Sequence, residues 1–132
     1  MAVDVKQLRI GSHISINGER VEVESLQGGD MVGCITPDND WFATESWRFE
    51  SIPITSTLLK ELGFEWREDS SCWRKKVGKD YWIFANGKEE VGWQFLLFPP
   101  YEKIRKRATL YADNLHEIEG QLVYYGVELI KE

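Results

Sequence analysis

Hydrophobic periodicity changes near residue 54, and that change confines the chain to a mixed architecture of strands and helices. Before it, apolar and polar residues alternate at the period of a half-buried strand. Ile14-Ser15-Ile16 meets Asn17-Gly18, and Val21-Glu22-Val23-Glu24 follows. An Asn-Gly pair between alternating runs predicts a tight hairpin, because both central residues of a type I′ turn need positive φ. Gln27-Gly28-Gly29-Asp30 reads as a second turn, Met31 to Thr36 as a third strand, and Pro37-Asp38-Asn39-Asp40 as a loop. Trp41 to Phe49 offers a fourth strand, with Trp41, Ala43 and Trp47 on one face. Short strands at this spacing predict a small antiparallel β unit over residues 1–54, read as an SH3-like barrel.

Residues 55–132 predict an α+β unit packed on the first. Thr55-Ser56-Thr57 offers a hydroxyl cap, Leu58, Leu59 and Leu62 form a helical stripe, and Gly63 fits the left-handed position after a two-turn helix. Strand patterns return in Phe64-Glu65-Trp66, Cys72 to Val77, Tyr81 to Phe84 and Val91 to Phe98, with a last one at Ala108 to Tyr111. Glu68 to Ser71 marks one turn, and Asn86-Gly87 predicts another. Leu115, Ile118, Leu122, Tyr125 and Leu129 then fall on one helical face, with Asp113 as its expected cap and Gly126 as its end. Gly120 inside that stripe suggests a close backbone approach. The predicted class is α+β: an SH3-like β unit, a short linking helix, and a second antiparallel sheet covered by a C-terminal helix.

Composition narrows the compartment and the chemistry. The chain has 132 residues with 42% hydrophobic and 29% charged residues, in the range of globular domains, so fibrous and disordered classes drop out. No basic, apolar leader opens the sequence, and Phe95 to Phe98 is far shorter than the ~20 residues of a membrane span. A cytoplasmic protein is expected. Cys34 and Cys72 stand apart without a CxxC partner and read as small buried hydrophobes.

Several blocks carry a resemblance. Leu8-Arg9-Ile10-Gly11 with Ile16-Asn17-Gly18 and Val21-Glu22-Val23, then Pro53-Ile54-Thr55 through Leu58-Leu59 to Leu62-Gly63-Phe64, then Leu115-His116-Glu117-Ile118-Glu119 with Gly126-Val127-Glu128-Leu129, are similar to a group of short uncharacterised proteins. Those proteins occur in gut bacterial genomes, prophages and mobile elements. The chain departs from the group at Gly120-Gln121, where Asn-Leu is usual, and in lacking a Thr-Gly pair near its end. The resemblance implies a fold and a genomic context, and it transfers no catalytic residue.

Enzyme signatures are missing. Gly28-Gly29-Asp30 has no Lys or Ser/Thr after it to complete a phosphate cradle, and no G-x-S-x-G or H-E-x-x-H occurs. Of the two histidines, His13 reads as an ordinary strand residue. His116 lies between Asp113 and Glu119 at helical spacing, which falls short of the three or four ligands a metal needs and suits capping or packing. No cofactor or metal is expected.

Charge is uneven. Residues 1–57 carry 4 basic and 9 acidic residues, and residues 58–132 carry 12 and 13, within a formal net charge of −6. Two basic clusters stand out: Arg74-Lys75-Lys76 with Lys79, beside Trp66, Trp73, Tyr81 and Trp82, and Lys103 with Arg105-Lys106-Arg107. Cations interleaved with aromatics suit single-stranded nucleic acid. Overall acidity opposes that reading, and strand alternation turns Trp73, Lys75 and Val77 away from Arg74 and Lys76. The expected function is a non-enzymatic binding module, associated with phages or mobile elements, that engages a protein partner. The alternatives are nucleic-acid binding through Arg74, Lys76, Lys79, Trp82, Lys103, Arg105, Lys106 and Arg107, and a small hydrolase-type enzyme using His116 with Asp113 or Glu119.

Overall fold

The computed structural model describes residues 8–26, 30–78, 80–88, 92–99 and 108–130. The protein is α+β, with two antiparallel sheets of four and five strands and a C-terminal helix. Its residues group into two compact units: the chain up to Ile52 with Asn114–Gly120, and Pro53–Asp113 with the chain from Gln121 onward.

The first unit is a meander of β1 (His13–Ile16), β2 (Glu19–Leu26), β3 (Met31–Ile35) and β4 (Trp41–Glu45), hydrogen-bonded in that order. Asn17 and Gly18 take φ of 52° and 80°, so the type I′ hairpin forms where the sequence places it. The inward residues Ile14, Val21, Val23, Val32 and Cys34 pack with Leu8 and Phe49 into one core. The turn at Gln27-Gly28-Gly29 lies outside the described residues. The fourth strand is shorter than its apolar pattern suggests. Glu45 already pairs with Met31, the first residue of β3, so the ladder runs out of partners there. Ser46–Arg48 turn into a short 3-10 helix, which takes Trp47 out of the row formed by Trp41 and Ala43. Beyond it Phe49 is fully buried, and Glu50 exchanges two backbone hydrogen bonds with Ser15 of β1, at 2.9 and 2.7 Å.

In the second unit, α1 (Ser56–Glu61) begins at Thr55, whose Oγ1 accepts the Leu58 N–H at 3.0 Å. Its end is a Schellman turn: Gly63 N–H reaches the Lys60 carbonyl and Phe64 N–H the Leu59 carbonyl, with Gly63 at φ 94°. Strands β5 (Glu65–Arg67), β6 (Cys72–Val77), β7 (Tyr81–Lys88), β8 (Gly92–Phe98) and β9 (Ala108–Ala112) form the second meander. The expected hairpin at Asn86-Gly87 does not form there. Asn86 and Gly87 continue β7, paired with Gln94 and Trp93. Gly87 serves a different need, because a Cβ on it would collide with the Gly92 carbonyl oxygen.

From Val77 across β7, β8 and β9, one face of this sheet is closed. Val77, Ile83, Ala85, Trp93, Phe95, Leu97, Leu110 and Ala112 lie on it and are buried. Lys75 is on the same face, and its ammonium donates to the carbonyls of Leu62 at 2.5 Å and Leu129 at 2.6 Å. It therefore ties the end of α1 to the C-terminal tail, and burial holds its pKa below the ordinary lysine value.

Helix α2 (Leu115–Val123) buries Leu115, Ile118 and Leu122 completely. Asn114, rather than Asp113, precedes its first turn, and Glu117 Oε1 accepts the Asn114 N–H at 2.8 Å in a capping-box arrangement. Gly126, at φ 69°, ends it with a second Schellman turn from Val127 N–H to the Leu122 carbonyl. Gly120 makes no close approach, since no atom lies within 4 Å of the point a Cβ would occupy.

Candidate functional site

The second face of the five-stranded sheet differs in kind from the first. Strand registers align Arg74 with Phe84, Lys76 with Trp82, Trp82 with Phe98, Phe84 with Leu96, and Gln94 with Tyr111. All of these side chains project from one side of the sheet, because cross-strand partners share a face. Trp82, Phe84, Leu96 and Phe98 stay partly open to solvent, and Tyr111 is exposed. The Phe84 and Phe98 rings meet edge to face at 5.2 Å. A half-open patch of aromatic and aliphatic side chains on the sheet results.

Arg74 stands on β6 at one margin of that patch. Its guanidinium lies 4.8 Å from the centroid of the Trp82 ring, a cation–π arrangement. The cross-strand residue Glu65 lies opposite Arg74 in the ladder, yet Arg74 Nε is buried and meets no acceptor among the described residues. Lys76 is held at 3.1 Å by Asp80, and Arg67 sits 3.7 Å from Asp69. Both pairs are exposed and contribute little to stability.

Of the sequence-predicted site residues, the structure brings Arg74, Lys76 and Trp82 onto this one face. Lys79, Lys103, Arg105, Lys106 and Arg107 lie outside the described residues. Trp73 and Trp66, which flank the same cluster in sequence, are cross-strand partners on the opposite face, with their rings 5.5 Å apart. Sequence reasoning missed Phe84, Leu96 and Phe98. The signal was present: Tyr81-Trp82-Ile83-Phe84 and Phe95-Leu96-Leu97-Phe98 are apolar at every position, which marks strands with apolar side chains on both faces.

A second constellation lies in the first unit and brings together residues 106 apart in sequence. The Glu119 carboxylate on α2 takes both the backbone N–H of His13, at 2.7 Å, and its ring Nδ1, at 2.6 Å. On the other side of the ring, Nε2 is 3.5 Å from Glu22, the cross-strand partner of His13. His13 and Glu119 side chains are 11% and 10% exposed, so Glu119 acts as an internal clamp on the first strand. The expected pairing of His116 with Glu119 is thus not what engages this carboxylate. His116 is 1% exposed, and burial pushes its pKa below the usual histidine value, with Glu117 opposing in part. Among the described residues no group of three or more His, Cys, Asp or Glu is placed to hold a metal ion, and no helix is long and apolar enough to cross a membrane.

Compared with known protein families, curated proteins and solved structures, the chain matches none.

Proposed function

We propose that the protein is a non-enzymatic binding module whose working surface is the half-open face of the five-stranded sheet, and that its occupant is another protein. The observation that carries this reading is the group of Trp82, Phe84, Leu96 and Phe98 left partly exposed on β7 and β8 beside Arg74. Aromatic residues and arginine are the types that anchor protein interfaces, because they bury large areas with few rotatable bonds. The SH3-like character of the first unit belongs to the same proposal. Its support is the 3-10 helix after β4, followed by the Ser15–Glu50 bridge back to β1. So do the cytoplasmic location, which two free buried thiols suit, and the prophage or mobile-element context.

The test compares capture of a native partner by the wild-type protein, by Leu96→Glu and Tyr111→Ala on the face, and by Lys60→Glu at an exposed position of α1, all checked for folding by circular dichroism. Loss of the partner with the first two and retention with the third is expected. Capture unaffected by a folded face variant overturns the reading.

Single-strand nucleic-acid binding is the second reading, supported by Arg74, Lys76 and Trp82 sharing a face. Here Lys76 already has Asp80 as counter-ion, and the net charge of −6 repels phosphate. This reading expects affinity that falls steeply with salt, and a shallower slope when Arg105, Lys106 and Arg107 become Ala.

A further inference from the structure

We infer that the outer edge of β4 is an interaction surface whose occupant is a second copy of this chain, paired antiparallel about a two-fold axis at Ala43. This goes beyond the sheet-face reading and uses a different surface. Two hydrogen bonds flank the β3–β4 ladder, from the Thr36 N–H to the Asp40 carbonyl at 2.9 Å and from the Ser46 N–H to the Asp30 carbonyl at 2.7 Å. Hydrogen-bonded and open pairs alternate along an antiparallel ladder. In this register Phe42 and Thr44 therefore bond to Cys34 and Val32. Trp41 and Ala43 turn their N–H and C=O groups away from β3, and Glu45 turns its N–H the same way. Strand β4 is the outermost of its sheet, and among the described residues no strand pairs with those groups.

The other sheet edges carry protection that this one lacks. Strand β1 is covered at His13 and Ser15, the Gln121 side chain takes the Tyr111 carbonyl of β9 at 2.7 Å, and β5 is three residues long with Glu65 and Arg67 at its ends. Strand β4 has five residues in unbroken register, with no proline, lysine or bulge. An edge of that kind is a template for another strand. Its side chains fit a second copy. The Trp41 ring leans back over β3, with atoms 3.1 and 3.4 Å from where a Cβ on Gly33 would stand, so it does not block the edge. With Ala43 opposite Ala43 of the second copy, a small side chain sits on the axis, and Glu45 faces Trp41 rather than another carboxylate. The exposed Asp38 and Asp40 before one β4 then lie toward the exposed Arg48 beyond the other, which makes the two ends complementary in charge.

The experiment is static light scattering of the full chain from about 10 μM to about 1 mM, on the wild-type protein, Ala43→Lys, Ala43→Glu and an equal mixture of the two variants. Circular dichroism checks that each variant folds. The expected result is a concentration-dependent dimer for the wild-type protein, a dissociation constant raised about fivefold or more in each variant, and recovery in the mixture, where opposite charges meet at the axis. A wild-type protein that stays monomeric throughout overturns the inference. So does a dimer that either folded variant leaves intact, or a mixture that fails to recover it. Amide exchange on the wild-type protein needs no variant: association should slow the Ala43 and Glu45 N–H groups and leave those of Phe42 and Thr44, already bonded to β3, unchanged. Exchange at Ala43 that does not slow on association overturns the edge assignment. Leu96→Glu, on the sheet face, should leave the dimer intact, and loss of the dimer in that folded variant overturns the edge assignment as well.

Discussion

Gly63 lies just past the end of α1 and Gly120 inside α2, and the structure assigns them opposite roles. Gly63 holds φ of 94° in the Schellman turn that ends α1, a conformation in which a Cβ is strained. Gly120 is inside α2, has no positive φ, and has open space where a Cβ would go. Gly63→Ala is therefore expected to destabilise by about 1–2 kcal/mol, and Gly120→Ala to stabilise by about 0.5–1 kcal/mol, through helix propensity and a less free unfolded chain. Urea unfolding of the two variants checks this, and a destabilised Gly120→Ala protein would refute the account. Gly63 is legible in the sequence because the cap is local: a leucine stripe, a glycine, then Phe64. Gly120 is misread because close approach depends on what lies opposite the helix, and no local pattern carries that. Cys34 completes the residue scale: as a fully buried core thiol its pKa is pushed up to about 11, which keeps it protonated and unreactive near neutrality.

Edges decide what the elements can do. Strand β1 is the outer strand of its sheet, and its free side is occupied at two points, by the Glu119 carboxylate at His13 and by the Glu50 backbone at Ser15. Covering an edge in this way prevents pairing with another chain. Replacing Glu119 with Ala leaves the His13 N–H and the ring Nδ1 without their shared acceptor in a nearly buried site. A loss of about 1–3 kcal/mol is expected, with a smaller loss for Glu119→Gln, which keeps one oxygen. Amide hydrogen exchange at His13 should accelerate in Glu119→Ala. An unchanged rate together with unchanged stability would show that the clamp holds nothing. The strands and helix involved were readable from period and caps. Their clamp was not, because His13 and Glu119 are joined only by the path of the chain through space.

At the scale of the whole molecule, pH is the lever that the buried histidine provides. Burial favours neutral His116, so its folded pKa lies below the unfolded value of about 6.5. Its contribution is fully present above that value. As pH falls below it, the unfolded chain takes up the proton first, and stability is lost until the folded pKa is passed. One proton of difference gives a slope of at most about 1.4 kcal/mol per pH unit. Unfolding midpoints measured between pH 7.5 and 5 should fall for the wild-type protein and fall less for His116→Gln. Identical pH profiles for the two would sink the argument.

What the amino-acid order alone determined was local: the type I′ turn at Asn17-Gly18, the Thr55 cap, the glycine stops at Gly63 and Gly126, and strands alternating at period two. Each is set by interactions within a few residues, so the antiparallel α+β class followed from their order. Tertiary structure alone decided where β4 stops, because its ladder ends with its partner. It decided that Asn86-Gly87 is strand, because the backbone of β8 approaches it. It also decided which side of the apolar runs in β7 and β8 is closed and which stays half-open beside Arg74. Those outcomes depend on what a distant segment places against a residue, and a run that is apolar at every position is the same string whichever side is covered.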